Sequence, residues 1–348
     1  MKKYDVIIIG AGPSGISTAL NLVKLGIKNI LVVEKYKFPR YKCCAGYITS
    51  KTKKVYEELG LNLEECHYTL IKDFNIFYKL KLKQTIINKF LYTNRKIERV
   101  ELDDAFYKLA VNKKINIIEK TTITNHDIYN NTITLSNNQT SQYNYLVFAD
   151  GTNSFGNRYQ KENKKHIAMQ MVFENTSREE IQIHFGITKK GYAWVSSCHG
   201  WTNVGLTDVY NEETDYRKIF KDFLKNLGIE KDIIDLKGAF TPIGIRTPVI
   251  NHNIFFVGDA VGACDPLTLS GLRYGLKTGE YCAKAIKNKN NKIYHKYIRN
   301  IKVKFIFMKL LLKVFYLKIT LFCIFEIGCR FFGKLISKVF NDFFVNKK

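Results

Sequence analysis

Gly10-Ala11-Gly12-Pro13-Ser14-Gly15 stands directly behind the strand-like run Tyr4-Asp5-Val6-Ile7-Ile8-Ile9, and a second apolar run, Ile30-Leu31-Val32-Val33, ends in Glu34. Strand, glycine turn, helix, strand and acidic residue in that order predict a βαβ unit that binds a dinucleotide. Gly10 permits the tight turn, Gly12 lets the backbone approach a pyrophosphate, and Gly15 lets the helix starting near Pro13 pack closely on the first strand. The pyrophosphate would lie at that helix's N-terminus, beside Ala11, Pro13 and Ser14, where N–H groups lack partners. Glu34 is placed to accept hydrogen bonds from an adenosine ribose, and its charge disfavours a 2′-phosphate. FAD or NAD therefore fits better than NADP.

Two later stretches add strand ends of the same kind. Tyr145-Leu146-Val147-Phe148-Ala149-Asp150-Gly151 reads as a buried strand entering an Asp-Gly turn. Asn253-Ile254-Phe255-Phe256-Val257-Gly258-Asp259 reads as an apolar strand ending in Gly-Asp, ahead of Asp265-Pro266-Leu267 and a helix from Gly271 to Ile286. A glycine fingerprint, a central Asp-Gly and a late Gly-Asp in this order resemble the flavoprotein hydroxylase-like superfamily. Within it, Phe38-Pro39-Arg40-Tyr41-Lys42-Cys43-Cys44-Ala45-Gly46 is similar to the Arg-Tyr-Lys-Pro-Cys-Gly-Gly segment of the geranylgeranyl reductase family. Pro266-Leu267-Thr268 and Lys277-Thr278-Gly279-Glu280 resemble that family's Pro-Leu-Thr and Lys-Ser-Gly-Glu. The resemblance spans residues 1–285 and implies FAD as the cofactor. It extends the expected cofactor contacts to Lys35, Arg40, Cys44, Ala45, Gly46, Arg99, Asp150, Gly258, Asp259, Gly271 and Leu272. It also makes Cys44 the catalytic candidate, lining the place where substrate meets flavin.

Several of these residues have a second reading. Asp259 can take a ribityl hydroxyl or serve as an ordinary helix cap. Arg99 stands four residues before Asp103, matching a family Arg-x-x-x-Asp pattern in which the arginine contacts FAD, or forming a surface i,i+4 salt bridge. Asp150 is expected to close a turn beside the cofactor. Cys44 alternatively is a small thiol supporting its loop. Tyr192 and Trp194 alternate with period two and share one face of a strand, lining a substrate pocket or merely the core. The chain departs from the family pattern in two places. Leu269-Ser270-Gly271-Leu272 stands where the family shows Gly-Glu-Gly-Ile, and Tyr192-Ala193-Trp194-Val195-Ser196-Ser197 where it shows Tyr-x-Trp-x-Phe-Pro.

A net charge of +24 points to an acidic partner or surface. No zinc-ligand spacing, helix-turn-helix signal or RNA-binding aromatic motif accompanies it, so neither nucleic acid nor a metal is expected. The sequence has no Gly-x-Ser-x-Gly and no Walker motif, which argues against hydrolase and phosphoryl-transfer chemistry. Eight cysteines without a regular framework or secretory signal fit reduced thiols in a cytoplasm. Residues 301–345 are dense in Phe, Leu and Ile, yet Lys304, Lys309, Lys313, Lys318, Glu326 and Arg330 break every apolar run before the roughly 18 residues that span a bilayer. Lys302, Lys309, Lys313, Arg330, Lys334 and Lys338 fall on one side of a helix, leaving side chains such as Phe305, Leu311, Phe315 and Phe322 for a peripheral contact with an anionic membrane. A helical hairpin packed on the enzyme is the alternative.

The expected fold is α/β: a Rossmann-like FAD-binding domain over residues 1–60, 96–160 and 249–287, an inserted substrate-binding sheet over 61–95 and 161–248, and an amphipathic helical region over 292–348. The expected function is FAD-dependent reduction of carbon–carbon double bonds in an isoprenoid or other lipid. Ferredoxin, a nicotinamide or a deazaflavin would serve as electron donor. A flavin monooxygenase or halogenase, or a flavin electron-transfer protein, is the alternative.

Overall fold

Continuous apolar runs, covered on both faces, form the parallel strands of a first sheet. Lys2–Ile9 lies inside it, with Ile9 beside Val33 of Ile30–Val33 on one side and beside Phe148 of Thr140–Phe148 on the other. Asn116–Ile118 extends the sheet beyond Ile30–Val33, and Ile254–Phe256 pairs with the end of Thr140–Phe148. The antiparallel pair Ile123–Asp127 and Thr132–Leu135 joins along the start of Thr140–Phe148. This computed structural model describes residues 1–71, 73–87, 95–161, 164–174, 181–198, 200–247 and 253–329.

In chain order the helices are α1 (Pro13–Lys24), α2 (Ser50–Glu58), α3 (Arg99–Asn112), α4 (Tyr216–Asn226), α5 (Leu272–Lys287), α6 (Asn291–Phe315) and α7 (Lys318–Phe322), which runs into π-helical turns over Cys323–Gly328. Side-chain alternation along Lys2–Ile9 serves two cores. Val6 and Ile8 belong with Leu20 and Leu22 of α1, Phe106 of α3 and Leu276 of α5. Tyr4, Ile7 and Ile9 belong with Leu135, Phe256, and Ile301 and Phe305 of α6. Glycine lets α1 and α5 touch: a Cβ on Gly279 would come within 2.8 Å of the Ser14 carbonyl oxygen.

A second sheet runs in the order Lys237–Pro242, Lys165–Glu174, Trp201–Val209, Tyr192–Cys198, Ile181–Phe185, Asp73–Tyr78 and Lys81–Ile87. One face carries Met169, Met171, Val195 and Leu206 against Phe220 and Phe223 of α4. On the other, Phe74, Ile76, Tyr78 and Phe185 pack with Leu312 of α6, Tyr316, Leu321 of α7 and Phe325. The rest of that face borders a cavity. An α/β sheet with a second β-sheet and C-terminal helices is the expected fold class.

The C-terminal helices depart from expectation in which side is free. Phe305, expected at a membrane interface, is 1% exposed and stands edge-on to Tyr274 at 5.0 Å between ring centroids. Ile301, Met308 and Leu312 continue its buried stripe, while Val303, Ile306, Phe307, Leu310, Val314 and Leu317 form an exposed apolar face. At 100° per residue, Lys302, Lys309 and Lys313 lie between the two faces. Both faces are apolar, so periodicity alone could not tell which one the core covers. Arg330, Lys334 and Lys338 lie outside the described residues. Among the described residues no helix is long and apolar enough to cross a membrane.

This assignment is testable by denaturant unfolding. Phe305→Ala should cost about 3–5 kcal/mol of stability, whereas Phe307→Ala should stay within about 0.5 kcal/mol of the parent protein. The reverse ranking would mean that the helix sits on its other face.

Candidate cofactor and substrate site

The C-terminal ends of the parallel strands and part of the second sheet's free face border a cavity of about 920 Å³. That lies near the top of the roughly 300–1,000 Å³ range of small-molecule sites. At its floor Gly10 adopts φ +104°, and a Cβ there would meet the Ala149 carbonyl oxygen at 2.6 Å. A Cβ on Gly15 would fall 1.9 Å from the Gly10 carbonyl oxygen, so α1 presses directly on the turn. Gly12 differs: a Cβ there meets only the flexible end of Arg40, at 3.4 Å. The N-cap residues of α1 and α5, Gly12 and Gly271, offer no side chain to the N–H groups of the first turn. Two helix N-termini without side-chain caps thus bring partial positive charge to one cavity.

Glu34 is buried at the end of its strand, accepting from the Ala11 N–H at 2.8 Å through Oε2 and from the Tyr36 N–H at 3.0 Å through Oε1. Each oxygen retains a lone pair for a further donor. Arg40 lies 3.8 Å from Glu34 and 3.4 Å from Asp103. Arg99 donates to Asp103 through Nε and Nη2, each at 2.8 Å. The pair is buried rather than a surface salt bridge. Burial opposes the charge of Arg99, but Asp103 beside it outweighs that and raises its pKa. Asp150 accepts from the Phe155 N–H at 2.7 Å, which closes the expected turn, and burial pushes its pKa up. Among the described residues, its Oδ1 and the Nε of Arg40 are buried without hydrogen-bond partners. Orphaned buried polar atoms of both kinds, beside glycine-lined space and two helix N-termini, fit a ligand rich in phosphate, hydroxyl and ring nitrogen, as FAD is.

On the opposite side Tyr192 and Trp194 both border the cavity, with ring centroids 6.2 Å apart. Trp194 lies flat across Gly205 of the neighbouring strand, where a Cβ would come within 2.1 Å of its ring. Its indole N–H donates to Asn203 Oδ1 at 2.9 Å, and Asn203 Nδ2 donates to the Cys44 carbonyl oxygen at 3.4 Å. The sheet is thereby tied to the cysteine loop. Cys44 is partly exposed at the cavity. The Cys43 thiol points to the Ala168 carbonyl oxygen at 3.9 Å. Burial, and then Cys44 nearby, push its pKa up to about 12, which leaves it a protonated thiol at neutral pH.

Most expected residues meet here. Gly10, Gly12, Pro13, Ser14, Glu34, Lys35, Arg40, Cys44, Ala45, Arg99, Asp150, Asp259, Gly271, Leu272, Tyr192 and Trp194 border the one cavity. Ala11, Gly15, Gly46 and Gly258 stand behind its lining as backbone supports. A Cβ on Gly46 would strike the Ile97 carbonyl oxygen at 2.3 Å, and one on Gly258 the Ser14 hydroxyl at 2.0 Å. Sequence reasoning missed Tyr47, Asn203 and Gly205, and also Lys304 and Met308, by which α6 becomes part of the wall. Gly205 and Asn203 carried a readable signal, a glycine and an amide inside an apolar strand. Lys304 and Met308 carried none. Among the described residues no group of three or more His, Cys, Asp or Glu is placed to hold a metal ion.

Known proteins resemble this chain in sequence and in fold. The family described as FAD binding domain matches residues 3–279. An uncharacterized protein of Methanosarcina barkeri is 29% identical over 300 residues, covering 83% of this chain and 76% of its own. The digeranylgeranylglycerophospholipid reductase of Methanococcus vannielii is 27% identical over 322 residues, covering 83% and 79%. In three dimensions, a geranylgeranyl bacteriochlorophyll reductase-like protein of Thermoplasma acidophilum superposes with a TM-score of 0.78 at 20% identity, over 91% of this chain and 88% of its own. This chain belongs to the FAD-binding domain family and is an FAD-dependent oxidoreductase similar to the geranylgeranyl reductases.

Proposed function

We propose that this oxidoreductase saturates carbon–carbon double bonds in an isoprenoid lipid. The observation that carries the reading is one cavity whose cofactor-fitting side faces a wall of Phe74, Ile181, Ile183, Tyr192 and Trp194. Likeness to the Methanococcus vannielii reductase supports it. FAD, when bound and reduced, supplies the hydride, and an acid supplies the proton that completes each saturation. An isolated alkene has no carbonyl to polarise, so the chain's own residues contribute by holding a flexible substrate in place and excluding water. The N-terminus of α1 would hold the pyrophosphate and Glu34 the ribose. Arg40, Arg99 and Asp259, with Gly271 and Leu272 at the start of α5, would hold the rest of the cofactor. Cys44, partly exposed between cofactor-fitting groups and sheet, is the catalytic candidate.

The same reading includes a peripheral membrane contact through the outer face of α6. Val303, Phe307, Leu310 and Val314 are exposed there, with Lys302, Lys309 and Lys313 beside them. Each apolar side chain moved out of water contributes up to about 1.5–3 kcal/mol, and each lysine near an anionic surface about 1 kcal/mol. Several such contributions, heavily discounted for shallow insertion, suffice for reversible binding.

Incubating the dithionite-reduced holoenzyme with a geranylgeranyl ether lipid should yield product heavier by two hydrogens per double bond, read by mass spectrometry. Nicotinamide-driven oxygen consumption with an oxygenated product would instead establish a monooxygenase. Gly12→Val should fold and lose its flavin absorbance, because only the movable end of Arg40 stands near the new side chain. Full flavin retention would overturn the cofactor assignment.

Cys44→Ser should keep FAD while alkene reduction falls by about 10²-fold, the lower end of what a positioned proton-transfer group contributes. Cys43→Ser should change the rate little. Equal loss of flavin and activity in Cys44→Ser would make the thiol a support of its loop. For the membrane contact, Phe307, Leu310 and Val314 changed together to Ser should abolish cosedimentation with anionic vesicles while unfolding like the parent. Unchanged cosedimentation would remove this face from the membrane contact.

A further inference from the structure

Among the described residues, two polar atoms in the apolar wall of the cavity have no hydrogen-bond partner. Ser196 shares the cavity face of its strand with Tyr192 and Trp194, and it is 2% exposed, with an Oγ that has no hydrogen-bond partner. Its neighbour Ser197 faces the other way and pairs with the Thr202 hydroxyl at 3.0 Å. Tyr47 also borders the cavity, and its buried phenol oxygen is likewise unpartnered. The two stand at opposite ends of one row across the wall, with Phe74 and Ile181 between them. The Tyr47 ring stands edge-on to Phe74 at 5.4 Å, Phe74 is in register with Ile181, and Ile181 is in register with Ser196. The indole N–H of Trp194 is already taken by Asn203, so it leaves these two hydroxyls unserved.

A buried hydroxyl without a partner is destabilising, and both could have been apolar at no loss of packing. We propose that Ser196 forms a polar notch in the substrate wall that receives an uncharged oxygen of the substrate. A carbonyl, ether or alcohol next to the isoprenoid chain has the required chemistry. The inference rests on the isoprenoid reading above and deepens it: the preferred substrate carries its oxygen into the cavity, and the notch registers which double bond lies at the reacting position. Tyr47, at the far end of the row, is a second such hydroxyl, and burial pushes its pKa up, which keeps it a neutral phenol at neutral pH. Ser196 can donate or accept.

The test uses the holoenzyme and two probes of equal length, geranylgeraniol and the corresponding hydrocarbon without the hydroxyl. Binding is read from the shift in flavin absorbance, and KM from alkene reduction. The parent protein should bind the alcohol about tenfold tighter than the hydrocarbon, the effect of one neutral hydrogen bond. Ser196→Ala should remove most of that preference and Tyr47→Phe little of it, while hydrocarbon binding and FAD affinity stay unchanged. Equal binding of the two probes by the parent, or equal weakening of both in Ser196→Ala, would overturn the notch. A change in FAD affinity would assign the hydroxyls to the cofactor and overturn it as well. The outcomes for the function separate cleanly. If the parent prefers the alcohol, Ser196→Ala loses that preference and neither probe is reduced, the notch stands and the reductase reading falls. If both probes are reduced with equal KM by parent and variants, the reductase reading stands and the notch falls.

Discussion

The contact between Gly15 and the Gly10 carbonyl is the constraint from which the site descends. With only 1.9 Å available where a Cβ would sit, α1 starts directly on the turn that ends the first strand, and its uncapped N-terminus faces the cavity. The same closeness propagates outward. α5 comes against α1 through Gly275 and Gly279, and the start of α5 then presents a second N-terminus to the cavity. Any side chain at Gly15 would move both helix ends away from the place where phosphate and ring oxygens need N–H donors. The local sequence pattern and the global packing agree here, as they do in a minimally frustrated chain.

This part of the molecule was legible because its chemistry is local. A glycine turn between apolar runs determines a backbone path within a few residues, so Gly10, Gly12 and Glu34 could be placed by counting. The opposite wall was not, because alternation says that Tyr192, Trp194 and Ser196 share a face but not what that face meets. Arg99 and Asp103 show the same limit. Their spacing gives an ion pair on one helix, whereas its burial and its third member, Arg40, come from a loop some sixty residues away. α6 is the strongest case. Its residues repeat with helical period on two opposite sides, and only the sheets it packs against decide that Phe305 is core and Phe307 is surface.

The second sheet turns tertiary contact into chemistry at one point. Trp194 can lie flat only because Gly205 has no side chain, and once flat its N–H reaches Asn203, whose amide reaches the backbone of Cys44. A larger residue at position 205 would tilt the indole, release Asn203 and loosen the cysteine loop. Shape on one strand is thereby linked to the position of a thiol two elements away.

The loop before α5 carries a related tension. Leu269 adopts φ +55° beside the cavity, in the left-handed region that costs a side-chain-bearing residue about 1–2 kcal/mol. The geranylgeranyl reductase pattern has glycine at this place, where the conformation is free of that cost. The turn survives because the Leu269 N–H is held by the Asp265 carbonyl at 2.9 Å and the Asp265 carboxylate accepts from the N–H groups of Leu267 and Thr268 at 3.0 and 3.3 Å. Strain retained at a ligand cavity needs such over-determination. Its counterpart is Ser196, small and polar where the same pattern has phenylalanine. One departure adds a side chain to the cavity lining and the other shortens one, so the enclosed space is reshaped relative to the geranylgeranyl reductase pattern.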